Sequence, residues 1–253
     1  MRHFITLLRN EIWKLLISPS TYIAAFLFLL VMGFLFQLIL LEYASDPKEE
    51  NPSITFFRLF FLPVFFMVPL LTMKSVAEER ATGTIETLMT TPVTATEVIL
   101  SKFCAGYLYY SLLWMFTGSF HILFYSFVQE DSLFDPYPIV GGYAYVAISG
   151  GLFLSLGIFA SALTRSQLIA GIVSFSLVFG FIVVGSFLDE MALPWIDQPR
   201  WVEILANHTD VLQHVRDFSS GIIDTRAIVL YASCSFAFLF LSILILEYRE
   251  GGC

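Results

Sequence analysis

Long uninterrupted runs of apolar residues dominate the pattern of this chain. A helix that crosses the hydrocarbon core of a bilayer needs about 20 such residues. Six runs have that character, at residues 20–41, 54–73, 103–128, 139–163, 167–188 and 227–246. The fourth and fifth runs together are too long for one crossing, so we predict a tight helical hairpin that turns around residues 164–166. The pattern predicts an all-α polytopic membrane protein with six transmembrane helices.

A different pattern, with apolar residues on one helical face only, precedes the first long run. In residues 2–17, apolar side chains such as Phe4 and Leu8 recur at helical spacing, and Arg9 lies on the opposite face. This is typical of an amphipathic helix that lies in the membrane interface, and Pro19 ends it. A cleaved signal peptide is the alternative. The following apolar run is longer than an h-region of about 7–15 residues, and no A-x-A-like site follows it.

The overall composition agrees with a membrane environment. Hydrophobic residues make up 57% of the 253 residues and charged residues 13%, whereas a soluble domain is about one-quarter charged. The net charge is −8, with no basic tract, so we predict no nucleic-acid partner. The three cysteines form neither a CxxC motif nor a metal-spaced set.

The distribution of lysine and arginine predicts the orientation. With a cytoplasmic N-terminus, eight of these residues fall on the inner side and five on the outer side, together the 13 in the chain. Six crossings then place both termini in the cytoplasm. Residues 75–97 become a cytoplasmic loop, and residues 189–225 become an outer loop with one or two short helices around 201–215. This topology requires Arg165 to lie on the inner side.

The inner loop at residues 75–97 carries the most informative polar pattern. It is rich in glutamate and threonine, Gly83 interrupts it, and Pro92 ends a short amphipathic turn. Thr94 and Glu97 have capping-box spacing and predict the start of the next helix. From the residues alone, two alternatives remain equal. The loop is either a short helix parallel to the membrane that faces a cytoplasmic partner, or a plain solvated connector.

Small residues and prolines are expected to shape two of the predicted spans. Gly142, Gly150 and Gly157 recur along the fourth span and predict close packing within the bundle, with a dimer seam as the alternative. Pro63 and Pro69 predict a kink in the second span.

Few strongly polar side chains lie well inside the predicted spans. Gln37 and His121 are nearly the only ones. Because ionisable groups inside a membrane are functional candidates, these two define a candidate polar pathway. The alternative for His121 is a structural histidine that is hydrogen-bonded within the bundle.

The sequence offers no convincing catalytic or metal-binding set. Ser149 in the fourth span precedes a glycine, but Ala147 lies two positions before it and no later span contains a histidine, as an intramembrane serine protease would require. His208, Asp210 and His214 lie in the outer loop, but a spacing of six does not place two histidines on one helical face. We therefore predict no catalytic residue and no metal site.

Charged, small and apolar residues follow a distinctive order in and just after the inner loop. They are Glu79, Arg80, Gly83, Thr84, Glu86, Leu88 and Pro92, followed by Glu97 and Lys102. This order resembles the signature of ABC-2-type transporter permeases. The resemblance extends over the whole chain, as a single ABC-2-type transmembrane domain. The segment at 218–226 is most similar to permeases of the gliding-motility and copper-enzyme-maturation types.

The resemblance implies that the inner loop forms a coupling helix that docks on a separate ATP-binding subunit. The implied coupling residues are Glu79, Arg80, Gly83, Thr84, Glu86 and Leu88. It also implies an elbow helix at residues 2–17, a lesser ATPase contact at 164–167, and a second permease chain, identical or related. The implied location is the bacterial inner membrane.

The function that the resemblance implies is a non-enzymatic permease subunit. It would couple ATP hydrolysis in its partner to substrate export or to mechanical transmission across the membrane. The chain has no G-x-x-x-x-G-K-[ST] loop, so ATP and magnesium would be bound by the partner and no cofactor by this chain. A non-transporting membrane scaffold or assembly factor is the alternative.

Overall fold

The computed structural model describes residues 2–45, 51–127, 136–187 and 209–250. Within these ranges the chain forms helices and no strand. The helices are α1 (Arg2–Ile17), α2 (Pro19–Ser45), α3 (Pro52–Arg58), α4 (Phe61–Thr72), α5 (Ala77–Ala81), α6 (Thr84–Met89), α7 (Ala95–Phe127), α8 (Pro136–Leu163), α9 (Gln167–Phe187), α10 (Val211–Ser219) and α11 (Thr225–Glu250). The predicted all-α membrane architecture is confirmed.

Five stretches of the described chain are long and apolar enough to cross a membrane. They are Pro19–Ser45, Phe61–Ala81, Ala95–Ser126, Tyr137–Leu163 and Thr225–Arg249. The remaining predicted span corresponds to α9, whose apolar segment Gln167–Val183 is shorter. The 21 residues of α9 still extend about 30 Å, because an α-helix rises about 1.5 Å per residue. That length matches the hydrocarbon core, so the count of six crossings stays a prediction.

The second predicted span, at residues 54–73, is divided between α3 and α4. Pro63 has no N–H to donate to Leu59, and proline is best tolerated in the first turn of a helix. The chain therefore begins a new helix just before it, and the Leu62 N–H donates to the Leu59 carbonyl at 3.2 Å. The expected kink is thus a break at this point, while Pro69 lies inside α4.

α7 begins well before the apolar run that predicts it, at Ala95 instead of residue 103. The capping box is the reason: the Thr94 N–H donates to Glu97 Oε2 and the Glu97 N–H donates to Thr94 Oγ1, each at 3.2 Å. These bonds satisfy donors that a helix start leaves free. The early start places Lys102 two turns inside a helix, next to the inner loop.

α8 lies at the centre of the bundle and packs against α7, α9, α10 and α11. Its glycines make this possible. A Cβ atom on Gly142 would overlap the ring of Phe57, and one on Gly150 would overlap the ring of Tyr110. The prediction that small residues of this span pack the bundle is therefore confirmed. α2 and α11 lie at the periphery, with large apolar side chains exposed toward the lipid.

The α8–α9 turn lies at the same end of the bundle as the inner loop. A guanidinium nitrogen of Arg80 donates to the carbonyl of Ala162, and Arg249 Nη1 donates to the carbonyl of Leu163 at 3.0 Å. The turn that contains Arg165 is therefore close to both the inner loop and the end of α11. This is the arrangement that the six-crossing topology requires.

Most of the predicted outer loop, 189–225, lies outside the described residues, which resume at 209. The described part contains α10, which falls partly within the predicted helical segment 201–215. Asp210 begins this helix, because its Oδ1 accepts hydrogen bonds from the N–H groups of Leu212 and Gln213, both at 3.0 Å.

Candidate functional site

The inner loop contains two short helices, α5 and α6, that are joined by a tight turn. Gly83 has φ +71°, a left-handed conformation that glycine adopts without a steric penalty. Threonine hydroxyls on either side of it hold the turn. Thr82 Oγ1 donates to the Glu78 carbonyl at 2.9 Å, and Thr84 Oγ1 donates to the Glu79 carbonyl at 3.2 Å. The glycine and the threonines therefore define the angle between the two helices.

An apolar cluster lies beneath this turn and joins it to three long helices. Its buried members are Val76, Ile85, Ala95, Val98, Ile99, Ile158 and Leu246, and Leu88 packs against them. The cluster attaches α6 to α7, α8 and α11. Leu88, an implied coupling residue, is half-buried and packs within the permease. The buried Ile85 was not among the residues that the sequence singled out, although it is an apolar residue between polar, exposed neighbours.

Four charged side chains from α1, α5 and α7 form a closed ring of ion pairs. Lys14 Nζ lies 3.0 Å from Glu11 Oε1 and 2.8 Å from Glu79 Oε1. Lys102 Nζ lies 3.1 Å and 2.8 Å from the same two oxygens. The Lys102 side chain is only 2% exposed, whereas that of Lys14 is 50% exposed. We call this set the ion-pair ring.

The ion-pair ring is electrically neutral, which matters because burying a charge is costly unless it is paired. Burial alone lowers the pKa of Lys14, but the hydrogen bond to Glu79 and the charges of Glu11 and Glu79 outweigh it, so the pKa is raised. Each lysine bridges both carboxylates, and each carboxylate joins helices that are far apart in the chain. The ring therefore connects the inner loop to α1 and α7.

A second connection joins α5 to the end of α8. Ser161 Oγ accepts hydrogen bonds from the N–H groups of Val76 and Ala77, both at 3.0 Å. These donors are the free ones at the start of α5, where no residue of the loop supplies a side-chain cap. Arg80 is 7% exposed and donates to the carbonyl of Ala162. Movement of α5 must therefore also move α8, or break these bonds.

The six implied coupling residues thus divide into two groups. Gly83, Thr84 and Glu86 are exposed, so a partner protein can reach them. The other three face the permease: Glu79 enters the ion-pair ring, Arg80 binds α8, and Leu88 joins the apolar cluster. Chemically, the site combines an accessible outer surface with an inner surface bonded to four other helices.

The two residues of the predicted polar pathway lie in different environments. Gln37 is exposed on the outer surface of α2. His121 is 5% exposed, packs against the rings of Phe57 and Tyr143, and has Nδ1 3.4 Å from Ser53 Oγ. The structure does not bring Gln37 and His121 together, and a polar pathway stays a prediction.

A buried polar chain at the opposite end of the bundle was missed by the sequence patterns. The hydroxyl of Tyr145 donates to the Val211 carbonyl at 3.2 Å. The Tyr231 hydroxyl lies 2.8 Å from that of Tyr145 and 3.2 Å from His214 Nδ1. The hydroxyl proton of Tyr145 is used in the hydrogen bond to Val211. Tyr231 therefore donates to Tyr145, and His214 Nδ1–H donates to Tyr231. The chain fastens α10 to α8 and α11.

Two of the three residues considered for a metal site have other hydrogen-bonding roles in the structure. Asp210 caps α10, His214 is hydrogen-bonded to Tyr231, and His208 lies outside the described residues. In the part of the chain that the structure describes, no three His, Cys, Asp or Glu side chains form a metal-binding group.

The chain was compared with known protein families and with curated proteins. The sequence profile described as "ABC-2 family transporter protein" matches residues 6–245, a range that includes the ion-pair ring, the inner loop and every candidate span except the end of α11. No curated protein matches the chain.

Proposed function

Because this chain belongs to the ABC-2 family of transporter proteins, it is a multi-pass permease component of an ABC transporter, and we propose that its inner loop couples ATP hydrolysis to movement of the spans. The hydrolysis would take place in a separate ATP-binding subunit, which the family implies as a partner. The subtype stays a prediction.

The observation that carries this proposal is the two-sided construction of the inner loop. Its outer surface offers Gly83, Thr84 and Glu86 to a partner. Its inner surface is held by the ion-pair ring and by Ser161. A solvated connector needs neither an accessible docking surface nor bonds to the spans, whereas a coupling element needs both. A displacement of α6 would be passed to α1, α7 and α8 through these contacts.

The remaining parts of the proposal rest on the distribution of lysine and arginine and on the family. We place the inner loop, the α8–α9 turn and both termini in the cytoplasm of a bacterial cell, with the protein in the inner membrane. ATP and magnesium would be held by the ATPase, and a second permease chain would complete the transporter. The task performed is substrate export or mechanical transmission.

The test separates docking from coupling. The permease is co-purified with its ATP-binding subunit, and two exposed changes, Thr84→Arg and Glu86→Lys, are compared with an internal change, Lys102→Met. We expect the exposed changes to reduce complex formation. Lys102→Met should leave the complex assembled but lower the stimulation of the ATPase by the permease. Glu247→Gln, an exposed change outside the loop, is the control.

Two results would contradict the proposal. If both exposed variants assemble and stimulate the ATPase normally, the loop is not the docking surface. If a catalytically dead ATPase supports normal cellular function of the complex, the chain is a scaffold or assembly factor that needs the partner only as a structural subunit.

A further inference from the structure

A cavity of about 630 Å³ lies between α1, the end of α4, α5, α7 and α8. This is within the usual size range of small-molecule sites, about 300–1,000 Å³. Its lining includes the four residues of the ion-pair ring, Thr84 of the inner loop and Ile158 of the apolar cluster. Trp13 and Ile17, which are 57% and 69% exposed, contribute to its lining.

The lining of the cavity changes from polar to apolar along the bundle axis. Toward the inner end it contains Lys74, Glu78 and Thr82. One to three turns deeper, it contains Leu70 on α4 and Leu154 on α8. The molecule that fits such a space has a charged head and an apolar tail. The exposed Trp13 of the amphipathic helix indicates that the cavity opens at the depth of the lipid headgroups.

The charged residues of the lining indicate which charges the head group of the bound molecule must carry. The cavity contains three lysines and three glutamates, and the ion-pair ring uses two of each. Lys74 and Glu78 remain. Both are half-buried, and in the described parts of the chain no ion pair or side-chain hydrogen bond involves Lys74 Nζ or the Glu78 carboxylate. A ligand that carries one positive and one negative group would satisfy both.

We infer that this cavity binds a phospholipid with a primary-amine headgroup, of the phosphatidylethanolamine type. Lys74 would face the phosphate and Glu78 the ammonium group, with an acyl chain against Leu70 and Leu154. A primary ammonium has three N–H donors, as a lysine has, and can form a charge-assisted hydrogen bond with a carboxylate. The trimethylammonium group of phosphatidylcholine has no N–H to donate, and phosphatidylglycerol has no cation to face Glu78.

The cavity also offers a way to block binding without removing a charge. Gly106 of α7 lines it, and a Cβ atom built there would have Leu154 Cδ2 as its nearest contact, at 4.0 Å. Gly106→Leu should therefore fill the space without a clash at the backbone. Leucine is also the better helix former, so the variant should fold.

The experiment uses the full-length permease alone, delipidated in detergent and titrated with single lipids under native mass spectrometry. We expect one phosphatidylethanolamine per chain, bound about tenfold or more tightly than phosphatidylcholine or phosphatidylglycerol, since charge-assisted hydrogen bonds are lost in both cases. Glu78→Gln and Lys74→Gln should each reduce this affinity about tenfold, and Gly106→Leu should abolish it. Arg9→Gln and Glu247→Gln, both exposed, are matched controls.

The inference is overturned if the three lipids bind equally, or if Gly106→Leu retains selective binding while it elutes as a folded protein. Equal binding of soluble phosphoethanolamine and of the lipid would also refute it, since the apolar wall would then contribute nothing. No ATPase is present in this assay. Its failure would therefore leave the coupling proposal standing, and loss of ATPase docking would leave the lipid site standing.

Discussion

Removal of Lys102 is the most informative perturbation of the ion-pair ring. Its side chain is 2% exposed and pairs with both Glu11 and Glu79. In Lys102→Met, two carboxylates that are each 14% exposed keep only Lys14, which is half in solvent. Removing one partner of a buried ion pair costs about 3–5 kcal/mol. Because Lys14 still compensates in part, we expect a loss near the lower end, about 3 kcal/mol of unfolding free energy.

The matched change is Lys14→Met in the same ring. Lys14 binds the same two oxygens but is 50% exposed, so solvent screens its charge and the expected loss is about 0–1 kcal/mol. The double variant Lys102→Met with Glu79→Gln removes one charge of each sign and leaves the Lys14–Glu11 pair intact. We expect it to be less destabilised than the sum of the two single changes, by about 1–3 kcal/mol.

Equilibrium unfolding of the purified variants in detergent, followed by tryptophan fluorescence, measures these free energies. The reasoning is refuted if Lys102→Met and Lys14→Met cost the same, because burial would then not decide the strength of the pairs. Strict additivity of the double variant would refute it as well, since the four charges would then act independently and the ring would not connect the inner loop to α7.

Three further changes test other contacts. Ser161→Ala leaves two N–H groups at the start of α5 without an acceptor and should cost about 1–3 kcal/mol of unfolding free energy. Ser155→Ala removes a hydroxyl that donates to a carbonyl of its own helix and should cost less in the same unfolding assay. Gly157→Ala places a methyl group against a side chain of α4 and should cost about 1–3 kcal/mol of unfolding free energy. Gly180→Ala, whose added Cβ atom has nothing within 4 Å, should be neutral or stabilising. Equal effects of the two changes would contradict the packing argument. Tyr145→Phe removes the donor that holds α10 and should increase proteolysis of the segment before α11 several-fold, with an unchanged cleavage rate as the contrary result.

Several features of the fold were predictable from the sequence because they depend on near neighbours. The hydropathy of successive residues predicted where helices lie, and the Thr94–Glu97 pair predicted the start of α7. The glycines of α8 predicted close packing, although not that their partners would be rings such as Phe57 and Tyr110. The break before Pro63 follows from a local rule as well, but the apolar run there concealed it.

The candidate site was only partly predictable, because some of its residues are exposed to a partner and others face the permease. The family signature identified Glu79, Arg80 and Glu86 as one set. Which of them face a partner depends on the rotation of α5 and α6, and this follows from Gly83 and from the apolar cluster beneath the turn. Glu86 is exposed, whereas Glu79 and Arg80 are bonded to the permease.

The sequence by itself determined that this is a membrane-spanning helical protein, approximately where its long apolar helices lie, and which family it belongs to. Those properties arise from interactions between residues a few positions apart and from the transfer of whole segments out of water. Only the tertiary structure decided that Glu11 and Lys102, 91 positions apart, share one neutral ring, and that Lys74 and Glu78 line the same cavity as that ring. Ion pairs and cavities depend on which faces of distant helices meet, and a one-dimensional pattern of polarity does not contain that information.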